Sequence, residues 1–201
     1  MKRALRFAGF GGQGVISAGV LLAKAAVLDG YEVTQTQSYG PESRGGAAKC
    51  DVIVADERIL FPYPRQVDLL TMMSREALEK YLGSLAAHGT LLVDTTMIPA
   101  PALAEVGVEN PGDVPFRAAG IPATDVAEQE LGSTIAANIV MLGALCRTES
   151  LVSFDSLATA VREQFASKPA VVMTNLRALE LGFGKVAPLN LGRTHEEVSR
   201  S

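Results

Sequence analysis

The chain of 201 residues has no tryptophan, four tyrosines and seven phenylalanines, and its 18 Lys and Arg are outnumbered by 22 Asp and Glu, a formal net charge of −4. A nucleic-acid surface needs a basic stripe interleaved with aromatic platforms, so this composition argues against nucleic acid as a partner. The two cysteines, Cys50 and Cys146, lie far apart and form neither a C-x-x-C pair nor a metal-ligand cluster. They read as reduced thiols of a cytoplasmic protein, each a small core hydrophobe. The longest apolar run, Ile135 to Cys146, is too short to span a bilayer and carries Asn138, so no membrane association is expected. Met1 to Gly14 has basic residues without the continuous apolar region of a secretory signal. Also missing are a G-x-x-x-x-G-K-S/T phosphate loop, an H-E-x-x-H pair, a G-x-S-x-G elbow and a ferredoxin-type cysteine cluster. No catalytic residue and no metal ligand is therefore assigned. His88 and His195 read as solvated side chains.

What is present is a chain with 48% apolar residues, enough to bury a core as one domain. Strand-like runs at Ala4 to Ala8, Glu32 to Thr36, Lys49 to Ala55, Val67 to Met72, Thr90 to Asp94 and Val114 to Ala118 are interspersed with helical segments. The helices are expected at Ile16 to Leu28, Arg75 to Ala87, Thr124 to Leu131, Thr134 to Arg147, Phe154 to Phe165 and Pro169 to Leu181, with Gly182 as a C-cap. Ser74 and Ser153 read as N-caps. This alternation predicts an α/β fold, a three-layer α/β/α arrangement around a mostly parallel mixed sheet, Rossmann-like, with only Lys49 to Ala55 required to run antiparallel. The expected domain is 1–184, followed by a polar tail, 185–201.

Two glycine-rich stretches carry the functional signal. Gly9-Phe10-Gly11-Gly12-Gln13-Gly14 lies between the first strand and the first helix, where free backbone amides and absent Cβ atoms let a phosphate approach. Its G-x-G-x-x-G spacing is the dinucleotide fingerprint, although the same glycines also serve a close strand-to-helix turn without a ligand. An NAD-type site wants a carboxylate at the end of the next strand, about 20 residues on. That end reads Thr34-Gln35-Thr36-Gln37, which disfavours a free-standing NAD(P)-dependent dehydrogenase. The second stretch runs Ser38-Tyr39-Gly40-Pro41-Glu42-Ser43-Arg44-Gly45-Gly46. With the first two strands as parallel neighbours, both stretches share the carboxyl edge of the sheet, where open α/β sheets bind ligands. Arg44 there serves either as a bidentate phosphate ligand or as the partner of Glu42. Asp94 reads as an Asx-turn or helix-cap acceptor, and Asn138 as an amide that, if buried, needs a hydrogen-bond partner and so either caps a loop or faces another subunit. Ile59-Leu60-Phe61-Pro62-Tyr63-Pro64 reads as an apolar loop that either enters a partner or folds onto its own core.

Four segments together resemble the gamma subunit of 2-oxoacid:ferredoxin oxidoreductases. They are Gly9 to Gly14, Gln37 to Gly46, Val54-Ala55-Asp56 followed by Ile59, and Ala137-Asn138-Ile139-Val140-Met141-Leu142-Gly143. The resemblance runs in order from about Leu5 to Gly182. It implies a complex that oxidatively decarboxylates a 2-oxoacid with coenzyme A, giving an acyl-CoA, CO2 and reduced ferredoxin. It also implies alpha, beta and delta subunits as partners, with thiamine diphosphate and Mg held between alpha and beta, and iron–sulfur clusters on beta and delta. Ferredoxin is then met only indirectly. This chain, inactive alone and binding no cofactor by itself, is expected to complete the assembly and help enclose coenzyme A as a shared substrate. Gly11, Gly12, Gln13 and Gly14, with Ser38, Tyr39, Arg44, Gly45 and Gly46, are the candidate residues for the nucleotide end of coenzyme A. A non-catalytic scaffold is the alternative. The form Thr36-Gln37-Ser38-Tyr39-Gly40-Pro41-Glu42 resembles the 2-oxoglutarate enzymes most, with branched-chain 2-oxoacid and pyruvate enzymes behind.

Overall fold

The computed structural model describes residues 1–38, 47–108 and 115–189. Its centre is a seven-stranded sheet of β1 (Lys2–Phe10), β2 (Glu32–Ser38), β3 (Ala47–Ala55), β4 (Val67–Met72), β5 (Leu85–Asp94), β6 (Arg117–Ile121) and β7 (Ala187–Pro188), in the spatial order β2-β3-β1-β4-β5-β6-β7. β1, β4, β5 and β6 run parallel, whereas β3 is antiparallel to both β1 and β2. The expected parallel neighbours are thus separated by β3. The reason is burial: β3 is shielded along almost its whole length, while β2, Glu-Val-Thr-Gln-Thr-Gln-Ser, is polar and suits an edge.

Helices cover both faces. α1 (Val15–Leu28), α4 (Ala123–Leu131), α5 (Ala137–Glu149), α6 (Phe154–Gln164) and α7 (Pro169–Lys185) enclose Leu5, Phe7, Cys50, Val52, Leu92 and Ile121 on one side. α2 (Arg75–Tyr81) and α3 (Ala100–Glu105) cover Ile53, Leu70, Met72, Leu91 and Val93 on the other. The three-layer α/β/α reading therefore holds.

Several boundaries differ from expectation. The helix expected over Arg75 to Ala87 stops at Tyr81, followed by a 3-10 turn at Leu82–Ser84 that contains Gly83. Leu85 then pairs with Val67 to start β5. The strand expected at Val114 to Ala118 lies at Arg117–Ile121, with Val114 outside the described residues. Pro99 and Pro101 hid α3, whose start they occupy. Past 184, α7 continues to Lys185 and β7 pairs with β6, while 190–201 lie outside the described residues.

Gly182 is no C-cap. A Cβ there would lie 1.9 Å from the Val140 carbonyl oxygen, and one at Gly143 would lie 2.1 Å from that of Leu179. α5 and α7 thus touch backbone to backbone, and α5 is buried on every side from Ala137 to Cys146. The caps are as expected: Ser74 Oγ accepts from Ala77 N at 3.2 Å and Ser153 Oγ from Ser156 N at 3.1 Å. Asp29, which ends α1, also accepts from Ser153 N at 2.6 Å, Ser153 Oγ at 2.9 Å and Ser156 Oγ at 2.5 Å, so it clamps the start of α6. Burial pulls its pKa upward, but the hydrogen bonds from Ser156 and Ser153 outweigh that and hold it below the usual 3.8.

Two expectations follow. Gly182→Ala will lower stability by about 1–3 kcal/mol in urea unfolding through overpacking, whereas Gly184→Ala, which meets open space, will not. A folded-state pKa below the unfolded one gives stability that is present above pH 3.8 and lost as the pH falls through the folded value. Asp29→Asn will therefore flatten the acid limb of the thermal midpoint against pH, and an unchanged limb would remove Asp29 from that role.

Candidate functional site

The glycine turn is built at the carboxyl end of β1. Gln13 N donates to Phe10 O at 3.2 Å, closing the turn, and Gly12 sits at φ 103°, a conformation that only glycine adopts without strain. Gly14, at φ 74°, is the N-cap of α1 and has no side chain with which to cap it. The amides of the first turn of α1 thus lack intrahelical acceptors, and no acidic residue lies in that turn. Gly11 and Gly12 are exposed, and a Cβ on either would meet nothing within 4 Å. The turn therefore presents bare backbone outward.

Two side-chain amides hold it from within. Gln13 Oε1 accepts from Phe10 N at 2.7 Å, while its Nε2 donates to Met73 O at 2.7 Å just beyond β4. Gly9 is needed beneath it, since a Cβ there would come within 2.4 Å of Gln13 Oε1. Asn138, in the first turn of α5, donates from Nδ2 to Gly14 O at 3.0 Å, and a Cβ on Gly14 would lie 2.4 Å from that nitrogen. The sequence offered Gln13 as a ligand-facing residue; the structure spends both its polar atoms inside the fold. Asn138 thus caps a loop, one of its two readings from the sequence, but which loop was not legible because nothing in linear order points from 138 to 14.

Phe10 lies opposite Ala47 and Ser38 opposite Lys49, so the turn and the end of β2 share one edge of the sheet with β3 between them. Ser38 is exposed there. Tyr39, Arg44, Gly45 and Gly46 lie outside the described residues. Farther along that edge, Asp94 ends β5 and is fully buried. Its carboxylate accepts from Thr96 N at 3.1 Å, Thr124 N at 3.2 Å and Thr124 Oγ1 at 2.6 Å. Burial pushes its pKa up against these bonds. It is the Asx-turn and helix-start acceptor that its position suggested.

Among the described residues no group of three or more His, Cys, Asp or Glu side chains is placed to hold a metal ion. Burial raises the pKa of both thiols, that of Cys146 to about 11, so neither offers a thiolate at neutral pH. Cys50 accepts from Gln35 Nε2 at 3.0 Å, and Cys146 donates to Val152 O at 3.4 Å. Among the described residues no helix is long and apolar enough to cross a membrane.

Residues 4–185 match the family model for pyruvate ferredoxin/flavodoxin oxidoreductase. A 2-oxoglutarate synthase subunit KorC of Methanothermobacter marburgensis is 43% identical over 183 residues, which cover 90% of this chain and 95% of that protein. A keto/oxoacid ferredoxin oxidoreductase gamma subunit from Geobacter sulfurreducens superposes with a TM-score of 0.77 at 35% identity, over 92% of this chain and 96% of that one. The 2-oxoglutarate:ferredoxin oxidoreductase of Magnetococcus marinus, solved with 2-oxoglutarate, coenzyme A and succinyl-CoA bound, matches with a TM-score of 0.77 and 26% identity. It covers 91% of this chain and 30% of its own.

Removing either amide strands the groups it serves inside the fold. Gln13→Ala and Asn138→Leu will each lower stability by about 1–3 kcal/mol. Gly12→Ala will cost about 1–2 kcal/mol for its left-handed backbone, and Gly11→Ala close to nothing. Urea unfolding of the four variants checks the ranking.

Proposed function

This chain belongs to the pyruvate ferredoxin/flavodoxin oxidoreductase family and is a subunit of a keto acid ferredoxin oxidoreductase complex, and from that premise we propose that the complex takes 2-oxoglutarate. The observation that carries this choice is the near full-length identity of 43% to a 2-oxoglutarate synthase subunit, with the match to a structure holding 2-oxoglutarate and coenzyme A beside it. The reaction proposed is oxidative decarboxylation with coenzyme A. The carboxylate leaves as CO2, the acyl group forms a thioester with the coenzyme A sulfur, whose proton is released, and the two electrons pass one each to two ferredoxins.

Alpha, beta and delta subunits are the proposed partners, with thiamine diphosphate and Mg between alpha and beta and iron–sulfur clusters on beta and delta. That division agrees with the donor set of the described residues, whose cysteines are apart, buried and protonated. The proposed compartment is the cytoplasm, where thiols stay reduced.

This chain's part is one wall of the coenzyme A pocket. Gly11, Gly12 and Gly14 offer outward backbone and a helix N-terminus to a diphosphate, with Ser38 on the same edge and Tyr39, Arg44, Gly45 and Gly46 assigned from the sequence. Gln13 shapes the turn instead of meeting the ligand. The internal use of Gln13 and Asn138 also favours a second reading, in which the turn serves only to dock a neighbouring subunit.

The test is an anoxic preparation of the complex through a tag on this chain, assayed for coenzyme A-dependent reduction of a low-potential dye. A preference for 2-oxoglutarate over pyruvate and branched-chain 2-oxoacids is expected, and another preference overturns the substrate. Arg44→Ala should raise KM for coenzyme A about tenfold, in keeping with loss of one charge-assisted contact, and leave decarboxylation intact. An unchanged KM with a lower yield of complex would establish the docking role.

A further inference from the structure

The connection from β3 to β4 carries its apolar side chains outward. Leu60, Phe61 and Tyr63 are 86%, 59% and 62% exposed, and only Ile59 packs inward against the core under α2. The loop is held in place: Pro64 O accepts from Arg6 Nη2 at 3.4 Å, and Pro62 and Pro64 restrict its backbone. The rings of Phe61 and Tyr63 meet edge-on, with centroids 5.9 Å apart. A loop that shows three large apolar side chains within four residues to water is poised to be covered.

Beneath the two rings lies a groove of about 520 Å³, with Ala4 and Ile53 in its floor and Lys2 and Arg65 on its rim. It opens at the start of β1 and β4, the sheet edge opposite the glycine turn. Its one carboxylate, Asp68, is engaged by Ala4 N at 2.7 Å and lies 3.9 Å from Arg3 Nε. Lys2 and Arg65 form no ion pair with any described residue. An apolar floor, an aromatic wall and two cations unpaired among the described residues complement an apolar side chain flanked by a carboxylate.

We propose that this groove is the seat of another subunit of the complex. A segment of that subunit inserts an apolar side chain against Phe61, Tyr63 and Ile53 and aims a neighbouring Asp or Glu at Lys2 and Arg65. A partner subunit is the occupant favoured because this chain works within a complex, and because aromatic and arginine side chains in an apolar recess are the usual anchors of protein interfaces. In the Magnetococcus marinus enzyme the match covers 30% of one longer chain, so there this fold is covalently joined to further protein. The inference does not depend on the substrate or on whether the glycine turn touches coenzyme A.

The complex is isolated through a tag on this chain carrying Phe61→Asp or Arg65→Glu. Each variant is expected to lower recovery of a partner subunit about tenfold, the effect of removing an interface anchor. Arg65→Lys restores recovery, and the variant chain alone keeps the wild-type circular dichroism and thermal midpoint, since both side chains are exposed. Independently, a photo-cross-linking residue at Tyr63 in the otherwise wild-type complex is expected to capture one partner subunit at a segment containing Asp or Glu. Full recovery with both variants overturns the proposal. So does a cross-link confined to this chain or to a second copy of it, or displacement of the cross-link by free coenzyme A, which would make the groove a small-molecule site.

Discussion

The buried ion pair between Arg6 and Asp51 is the constraint on which the arrangement of this sheet rests. Arg6 Nε and Nη2 donate to the two Asp51 oxygens at 2.6 and 2.9 Å, and both side chains are about 95% shielded from water, at 5% and 3% exposure. They sit directly opposite each other on β1 and β3. A slip of one residue would turn Asp51 to the other face and leave Arg6 buried without its counter-charge, a loss of about 3–5 kcal/mol. The pair therefore selects one antiparallel register for β3 beside β1. From that register follow the pairing of Phe10 with Ala47 and the position of the glycine turn relative to the end of β2. The same guanidinium also reaches Ser84 and lies 5.3 Å from the Tyr81 ring, so the end of α2 is tied to the same point.

A second chain of dependence runs through the helices on the other face. Gly143 and Gly182 let α5 and α7 approach backbone to backbone, and this close packing seats α5 with its first turn beside α1. Asn138 can then reach Gly14. With Gln13 bracing the turn against Met73, the loop that shows bare backbone to solvent is rigid from below and open above. Such a surface binds or docks, while Asp94 is committed to a helix start and burial keeps the Cys146 thiol protonated.

The molecule consequently presents two different surfaces at opposite edges of one sheet. At the carboxyl edge of β1 the recognition elements are amides and a helix dipole, suited to anionic groups. At its amino edge they are aromatic rings and cations around an apolar floor, suited to a protein segment. The proposed pocket wall and the proposed docking groove thus lie at opposite ends of the strands of one mixed sheet, which sets the distance between them.

The strand-helix alternation, the glycine spacing at 9–14, the serine caps and the largely apolar helix expected from Thr134 to Arg147, which begins in the structure as a 3-10 turn and turns α-helical at Ala137, were legible in the order of residues, because each rests on contacts within a few positions along the chain. Short-range physics also located β4 to the residue and α1 to within one. What it did not determine was which strands are neighbours, that Gln13 points inward, that Gly182 serves a helix crossing instead of an ending, and that Asn138 supports the turn. Those outcomes depend on groups distant in sequence, such as Arg6 with Asp51, Gly14 with Asn138 and Gly182 with Val140, which acquire meaning only when packing brings them within a few ångströms. The sequence by itself determined an α/β chain with a glycine turn after its first strand; the tertiary structure decided what holds that turn in shape, since burial and long-range hydrogen bonds leave no periodic trace in the chain.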